Sequence, residues 1–371
     1  MKLSIERSAL LRSLAHVQNV VERRTTIPIL SNVKLAADDG RLGLTATDMD
    51  LSLVAHEAAE VARKGTTTAA AHTLFDIARK LPEGSEVGIE QGEGGELTVR
   101  AGRSVFNLPT LPADEFPAIG EEELAVNFTI GAAELARLID KTRFAISTEE
   151  TRYYLNGIHM HATRGGATAM LRGVATDGHR LARVEVALPD GAAELPPIIV
   201  PRKTVTEVRR LIDTIDGEVR VGVSSARIQL AFANAVIVSR LIDGTFPDYE
   251  RVIPTGNEKV ASLPCKAFGD SVDRVATIST EKARAVKLAF TEGTVTISAV
   301  SADTGRAIDE LDVDYAGDAL EIGFNARYIL DMLQQIDGDL VRFEMASAAA
   351  PTVVRDPADT GAIYVLMPMR V

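Results

Sequence analysis

Apolar residues recur along this chain in one order, three times over. A first stretch sets Ile5, Ala9, Leu10, Leu14, Val17 and Val21 on one helical face; Ala132, Leu135, Ile139, Thr142 and Ile146 repeat the pattern, as do Phe268, Val272, Val275 and Ile278. A short strand with alternating apolar positions follows each helix and runs into an acidic turn. These are Leu42, Leu44 and Ala46 to Asp48, Leu171 and Val174 to Asp177, and Val295, Ile297 and Ala299 to Asp303. A second helix comes next, predicted over 74–81, 205–215 and 329–336, each ending near a glycine (Gly84, Gly217, Gly338) that suits a left-handed cap. Closing strands carry Leu97, Val99 and Ala101, then Ile228, Leu230 and Phe232, then Val353 and Val354. The first two copies share an exit, Glu115-Phe116-Pro117 and Thr245-Phe246-Pro247.

Solenoid repeats are about 20 to 50 residues long, so a period of about 125 means whole domains. The chain is therefore expected to be α+β: three repeated domains over 1–125, 126–256 and 257–371, each with two helices packed on antiparallel sheet. Polar stretches at 121–123, beginning with Glu121, and at 254–257 mark the borders. A length of 371 residues with 46% apolar and 25% charged residues is ample for such cores and carries no bias toward disorder. The charged start, Met1-Lys2-Leu3-Ser4-Ile5-Glu6-Arg7, lacks the apolar core of a signal peptide, and no apolar run reaches membrane-spanning length. Cys265 is alone, which excludes an internal disulfide and fits a reducing, cytoplasmic setting.

Forty basic against fifty-two acidic residues give a net charge of −12, which repels nucleic acid unless the cations are gathered on one surface. They are predicted to be gathered on the helices. Arg12, His16, Asn19 and Arg23 recur at helical spacing on the first helix, Arg137 and Lys141 on its second copy, and Arg202, Lys203, Arg209 and Arg210 on the next. Acidic residues crowd loops and strand ends, as in Asp38-Asp39 and the Glu90, Glu93, Glu96 loop. If six such units closed into a circle, twelve helices spaced about 8 to 10 Å apart would line a wall roughly 35 Å across. That is wide enough for a duplex held by its phosphates alone.

Catalytic signatures are missing: the sequence holds no GxSxG, GxxxxGK[ST], HExxH or CxxC. His159 and His161 share one face of a predicted strand and, with His179 or Asp177, form a candidate metal set. Asp177-Gly178-His179-Arg180 is the most enzyme-like string, although Asp-Gly is also a common hairpin turn. A hydrolase or metalloenzyme built on these residues is one alternative, and a peptide-binding scaffold unrelated to DNA is another. The adaptable, methionine-rich end, Met367-Pro368-Met369-Arg370-Val371, needs either intramolecular packing or a partner.

Several longer strings bear a closer resemblance. Thr26-Ile27-Pro28-Ile29-Leu30, Arg152-Tyr153-Tyr154-Leu155-Asn156-Gly157, Ala175-Thr176-Asp177-Gly178-His179-Arg180-Leu181, Val200-Pro201-Arg202-Lys203, Asp243-Gly244-Thr245-Phe246-Pro247-Asp248-Tyr249 and the Met367-Pro368-Met369-Arg370 end resemble the bacterial sliding-clamp family, the beta subunits of DNA polymerase III, over essentially the whole chain. The resemblance implies a non-catalytic processivity factor. It would be a head-to-tail homodimer forming a six-domain ring around duplex DNA, opened by an ATP-driven clamp loader, without a cofactor or a metal of its own. It implies a partner-peptide pocket at Leu155, Thr176, Gly178, His179, Arg180, Leu181, Pro247, Arg251, Val252, Val365, Met367, Pro368, Met369 and Arg370. The partners would be the polymerase III alpha subunit and other polymerases, the loader, mismatch repair proteins and ligase. An apolar groove rimmed by two arginines suits such peptides and their acidic flanks. DNA contact is implied at Arg24, Tyr153 and Tyr154, and also at Arg152, Arg202 and Lys203; Glu149 stands where the family often carries glutamine. The dimer seam would join Phe106 and Leu108 to Thr277 and Ile278, with His72 and Thr73 facing Gly305, Arg306 and Ile308.

Overall fold

The same hydrogen bond opens the first helix of each repeat. The first backbone N–H of the helix donates to a carbonyl in the turn after the second helix: Arg7 to Ser85 at 2.9 Å, Ala132 to Gly217 at 2.8 Å and Cys265 to Asp339 at 2.8 Å. Each bond satisfies one of the donors that a helix start leaves without an internal partner. The computed structural model describes residues 1–92, 94–118, 120, 122–163, 168–279 and 284–370; Glu93, Glu121 and Val371 lie outside the described residues.

In chain order the first repeat is β1 (Lys2–Glu6), α1 (Arg7–Val20), β2 (Asn32–Asp38), β3 (Arg41–Thr47), β4 (Leu51–Ala58), β5 (Glu60–Arg63), β6 (Gly65–Ala70), α2 (Ala71–Lys80), β7 (Glu86–Gln91), β8 (Glu96–Ala101) and β9 (Ser104–Pro109). The second is β10 (Val126–Gly131), α3 (Ala132–Arg143), β11 (Gly157–Ala162), β12 (Met170–Thr176), β13 (Arg180–Ala187), β14 (Ile198–Pro201), α4 (Arg202–Ile212), β15 (Glu218–Val223), β16 (Arg227–Ala231) and β17 (Ala235–Arg240). The third is β18 (Lys259–Pro264), α5 (Cys265–Ala276), β19 (Ala285–Thr291), β20 (Thr294–Ser301), β21 (Gly305–Asp312), β22 (Asp314–Tyr315), β23 (Leu320–Asn325), α6 (Ala326–Leu333), β24 (Leu340–Met345), β25 (Thr352–Asp356) and β26 (Asp359–Leu366). The predicted α+β class and two helices per repeat are present. The second helices of the second and third repeats stop three residues short of the predicted ends, because Ile215 and Ile336 continue the apolar spacing into a following turn. Gly84 and Gly217 take positive φ (70° and 146°), but Gly338 does not; its N–H is drawn to the Asp356 carboxylate instead.

Four antiparallel sheets result, of five (β5-β1-β7-β8-β9), eight (β10-β15-β16-β17-β4-β3-β2-β6), nine (β14-β11-β12-β13-β26-β25-β24-β18-β22) and four strands (β21-β20-β19-β23). Two of them run across repeat borders. β17 pairs with β4 from Ala235↔Ala55 to Ser239↔Leu51, and β13 pairs with β26 from Arg180↔Leu366 to Val184↔Ala362. Contacts accordingly divide the chain into two units that cut through the middle repeat. One holds Met1–Ala133, Pro189–Leu195 and Lys203–Leu241; the other holds Glu134–Leu188, Pro196–Arg202 and the chain from Ile242 onward. In the first unit α1 buries Leu10, Leu14, Val17 and Val20; in the second α5 buries Phe268, Val272 and Val275, with Phe268 edge-on to Phe343. No helix among the described residues is long and apolar enough to cross a membrane.

Candidate functional site

The Thr176-Asp177-Gly178-His179-Arg180 turn between β12 and β13 is built by its own side chains. Asp177 Oδ1 accepts from the backbone N–H groups of His179 (2.9 Å) and Arg180 (3.0 Å), and Thr176 Oγ1 donates to the Arg180 carbonyl (2.7 Å). Gly178 sits at φ 89°, where a β-carbon is costly, and a β-carbon there would also meet Arg152 Nη1 at 2.5 Å. Asp48 holds the equivalent turn of the first repeat in the same way, accepting from Asp50 (3.0 Å) and Leu51 (2.7 Å). The Asp-Gly-His-Arg string is therefore a hairpin turn that shapes a surface, with Asp177 occupied by the backbone and by Arg180.

The C-terminal tail leaves β26 and crosses this turn. Met367 N–H donates to the His179 carbonyl and Met369 N–H to the Gly323 carbonyl, both at 2.9 Å. Beneath lies one apolar cluster of Leu155, Val174, Leu181, Ile199, Phe246, Tyr249 and Val365, with Tyr154, Ile242 and Ile253 packed against it. Leu155, Leu181 and Val365 form the floor, while Pro247, Arg251, Val252 and Met367 are exposed at its edge. Leu155, Leu181 and Val365 of the predicted set thus share one cluster and Met367 is bonded to the turn at His179, while Pro368, Met369 and Arg370 line a cavity with Lys287, Val300 and Gly323.

Of the three arginines among the predicted pocket residues, Arg180, Arg251 and Arg370, two face solvent and one does not. Arg180 is nearly buried: Nε pairs with Asp177 (3.1 Å), Nη1 with Asp331 (2.6 Å), and the guanidinium lies 4.4 Å from the Tyr328 ring and 5.2 Å from the Phe144 ring. It is a structural tie, not a free rim cation. Arg251, with 86% of its side chain exposed and a 2.7 Å pair to Asp248, and the exposed Arg370 are the cations that face solvent. Tyr328, which also stacks on His179 at 6.2 Å, was missed by sequence reasoning because it belongs to α6 and nothing in its local spacing distinguishes it.

His159 and His161 do share a face of β11, but they pack and do not converge on an ion. His159 stacks on Phe246 with ring centroids 4.6 Å apart and planes within 5°, and His161 hydrogen-bonds to Tyr249 at 2.9 Å. Among the described residues no group of three or more His, Cys, Asp or Glu side chains is placed to hold a metal. Burial, aided by His161, pushes His159 down to about 4 from its usual 6.5. Between those values the unfolded chain takes a proton that the folded chain refuses, so stability falls as pH drops through this window, by about 3 kcal/mol in total. Urea denaturation at pH 7 and pH 4.5 should show that His159→Phe loses less stability on acidification than wild type; equal losses would contradict this.

The basic helix faces are more neutralised than their spacing predicts. Arg12 makes a two-point contact with the buried Glu57 (3.1 and 2.9 Å). Arg137 and Lys141, predicted on an outward stripe, are drawn inward. Arg137 pairs with Asp359 at 2.6 Å, and the buried Lys141 pairs with Asp337 at 2.7 Å and Asp359 at 3.1 Å. Lys203, placed among the DNA contacts, donates to the Val20 carbonyl (2.9 Å), Glu22 (2.5 Å) and Asp48 (2.6 Å), and so is committed to tying α4 to the end of α1. Arg24 and Arg202 are exposed. Tyr153, 53% exposed, stands edge-on to Tyr154 at 5.8 Å, and Gly244 leaves room for the Tyr154 β-carbon. Glu149 grips Arg152 at 2.7 and 2.8 Å, and this pairing holds its carboxyl below the usual range.

Each of the four sheets among the described residues is open at both ends, and β9 and β21 are two of the edge strands. β9 closes the five-stranded sheet, with Val105 49% exposed, Phe106 half-buried and Leu108 already in the core. β21 is one edge of the four-stranded sheet, with Ile308 67% exposed; the tail's Met369 bridges to Gly323 on the opposite edge, β23. Thr277 is exposed and Ile278 half-buried just after α5.

Comparison with known proteins decides the family. The models of the DNA polymerase III beta subunit match its N-terminal domain over residues 1–120, its central domain over 129–248 and its C-terminal domain over 250–370. The chain belongs to the DNA polymerase III beta subunit family. It is 51% identical to the beta sliding clamp of Caulobacter vibrioides and 40% identical to that of Escherichia coli, covering 100% of both chains in each case. Among solved structures, a Caulobacter crescentus clamp with polyethylene glycol in its beta-motif tethering region superposes with a TM-score of 0.96 at 51% identity. A Bartonella birtlesii clamp bound to griselimycin does so with 0.98 at 42%, again over the whole of both chains. The beta subunits are the non-catalytic clamps of the polymerase, which accords with the structural employment of Asp177, His159 and His161.

Proposed function

We propose that this chain is the processivity clamp of a chromosomal DNA polymerase, in which two copies join head to tail into a six-domain ring around duplex DNA. One observation supports this most directly. Two borders between repeats are sealed by continuous sheets, while a five-stranded and a four-stranded sheet are left with open edges at β9 and β21. Open edges invite pairing with another chain. Joined across two copies, β9 and β21 would give a nine-stranded sheet and make the third border like the other two. The three domains of 1–125, 126–256 and 257–371, contributed by each of two copies, would then be the six equivalent arcs of the ring.

Enclosure asks little of the DNA contacts. Exposed ion pairs such as Lys266–Asp270 at 2.6 Å contribute under about 1 kcal/mol, so a passing phosphate can compete for the cation. Phosphate contacts of this kind are blind to sequence. Arg24, Tyr153, Tyr154 and Arg202 are the exposed candidates, with Arg152 held at the groove by Glu149. The groove takes short apolar peptides with acidic flanks from polymerases, the loader, mismatch repair proteins and ligase, all in the cytoplasm. Griselimycin, which the Bartonella relative binds, is the compound chosen to probe it.

The seam is testable by mass. Phe106→Asp would set a carboxylate against the acidic β21, which carries Asp309, Glu310 and Asp312. Native mass measurement should give wild type at two 39.7 kDa chains and the variant at one. A wild-type monomer at micromolar concentration would contradict the ring.

A further inference from the structure

The groove wall that presents Pro247, Arg251 and Val252 packs on the floor and is also held from behind by His159, His161 and Arg172, none of them among the predicted pocket residues. Phe246 (9% exposed) and Tyr249 (6%) turn inward, and the short helical turn Tyr249–Val252 carries Arg251 and Val252 outward, with Pro247 just before it. Phe246 rests on the His159 ring. Tyr249 is fixed by a directional relay. His161 Nδ1 lies 3.1 Å from the Ala162 carbonyl oxygen, which only accepts, so Nδ1 carries the proton. Nε2 is left with its lone pair toward the Tyr249 hydroxyl at 2.9 Å, and the hydroxyl donates to it. The same oxygen accepts from Arg172 Nη1 at 3.1 Å, and that nitrogen also donates to Glu250 at 2.5 Å. Glu185 pairs with the other side of the Arg172 guanidinium. Each donor in this chain meets an acceptor, which gives the turn one orientation.

We infer that His161, Tyr249 and Arg172 are positioning residues for the groove, holding the 246–252 wall in its binding shape through a relay that requires His161 in its Nδ1-protonated form. This rests on the groove function proposed above. A wall ordered before binding spares the ligand the cost of ordering it. When the wall is in its binding shape only part of the time, affinity falls by that fraction.

The test is calorimetry with griselimycin on the full-length dimer. Tyr249→Phe, which deletes one oxygen, should weaken binding about tenfold, as loss of one buried hydrogen bond does. His161→Leu should weaken it similarly. The double variant should be no worse than either single one, because both break the same relay. His161→Gln restores an amide oxygen as acceptor and should recover most of the affinity, a rescue that mere packing would not give. Independently of any variant, nitrogen NMR of histidine-labelled wild type should show His161 protonated at Nδ1; protonation at Nε2 would overturn the relay even if the variants folded poorly. Wild-type binding that survives Tyr249→Phe and His161→Leu unchanged would overturn this inference and leave the groove standing. No wild-type binding at all would overturn both.

Discussion

Removal of residues 367–371 is expected to drop processive synthesis by a loader-assisted polymerase to the level seen without the clamp. In the proposed groove the tail is a wall held by two main-chain bonds, Met367 to His179 and Met369 to Gly323, and its exposed Met367 follows Val365 of the floor by two residues. A short peptide draws its affinity from a few buried anchors, and losing such a contact costs about 2 to 4 kcal/mol, roughly 30- to 1000-fold in binding. The same deletion leaves β9 and β21 intact, so the dimer mass and the capture on DNA circles should persist. Primer extension on a primed circle separates the two properties. Unchanged stimulation by the truncated chain would refute the assignment of the groove.

Asp359→Ala is expected to cost about 3 to 5 kcal/mol in the unit that contains it, the largest stability effect of any single substitution considered. Its carboxylate accepts from Arg137 and Lys141 together, and without it two cations, one of them buried, face each other. Lys141 keeps Asp337, which places the loss toward the lower figure. Burial pushes the Asp359 carboxyl up, but hydrogen bonds and charge from the two cations outweigh it and hold the carboxyl below its ordinary value. Its contribution is therefore present above the unfolded carboxylate range, near pH 4, and is lost as pH falls through the lower folded value. Urea denaturation at pH 7 measures the cost; a loss under 1 kcal/mol would mean that the pair stabilises nothing. Replacing Arg137 and Lys141 by methionine in the same chain should recover much of the stability.

These two residues also mark where the sequence ceases to be legible. Helical spacing found all three repeats, because each helix buries a stripe at steps of three and four, and it found the Asp48 and Asp177 turns, because a strand with alternating apolar positions runs into each. The same spacing set Arg137 and Lys141 on a solvent stripe. Spacing says only which side a residue leaves from. Lysine and arginine stems are long enough to turn back, and the acids that capture them, Asp337 and Asp359, lie about two hundred positions away in the chain. The enclosure of Arg180 was hidden as well, since the rings around it, Phe144 and Tyr328, come from two separate segments. The proposed pocket came from resemblance of whole strings, since its floor joins the turn at Leu155 to β13 and β26 in a register that no local pattern encodes. Division of the middle repeat between two contact units was likewise hidden, because it follows from pairing of β17 with β4 and of β13 with β26.

Attachment by enclosure makes a prediction that attachment by affinity does not. Clamps placed on a closed plasmid by the loader should stay through a gel-filtration column and run off once the plasmid is cut at one site, at a rate set by sliding to the ends. Retention on the linear DNA equal to that on the circle would contradict the account.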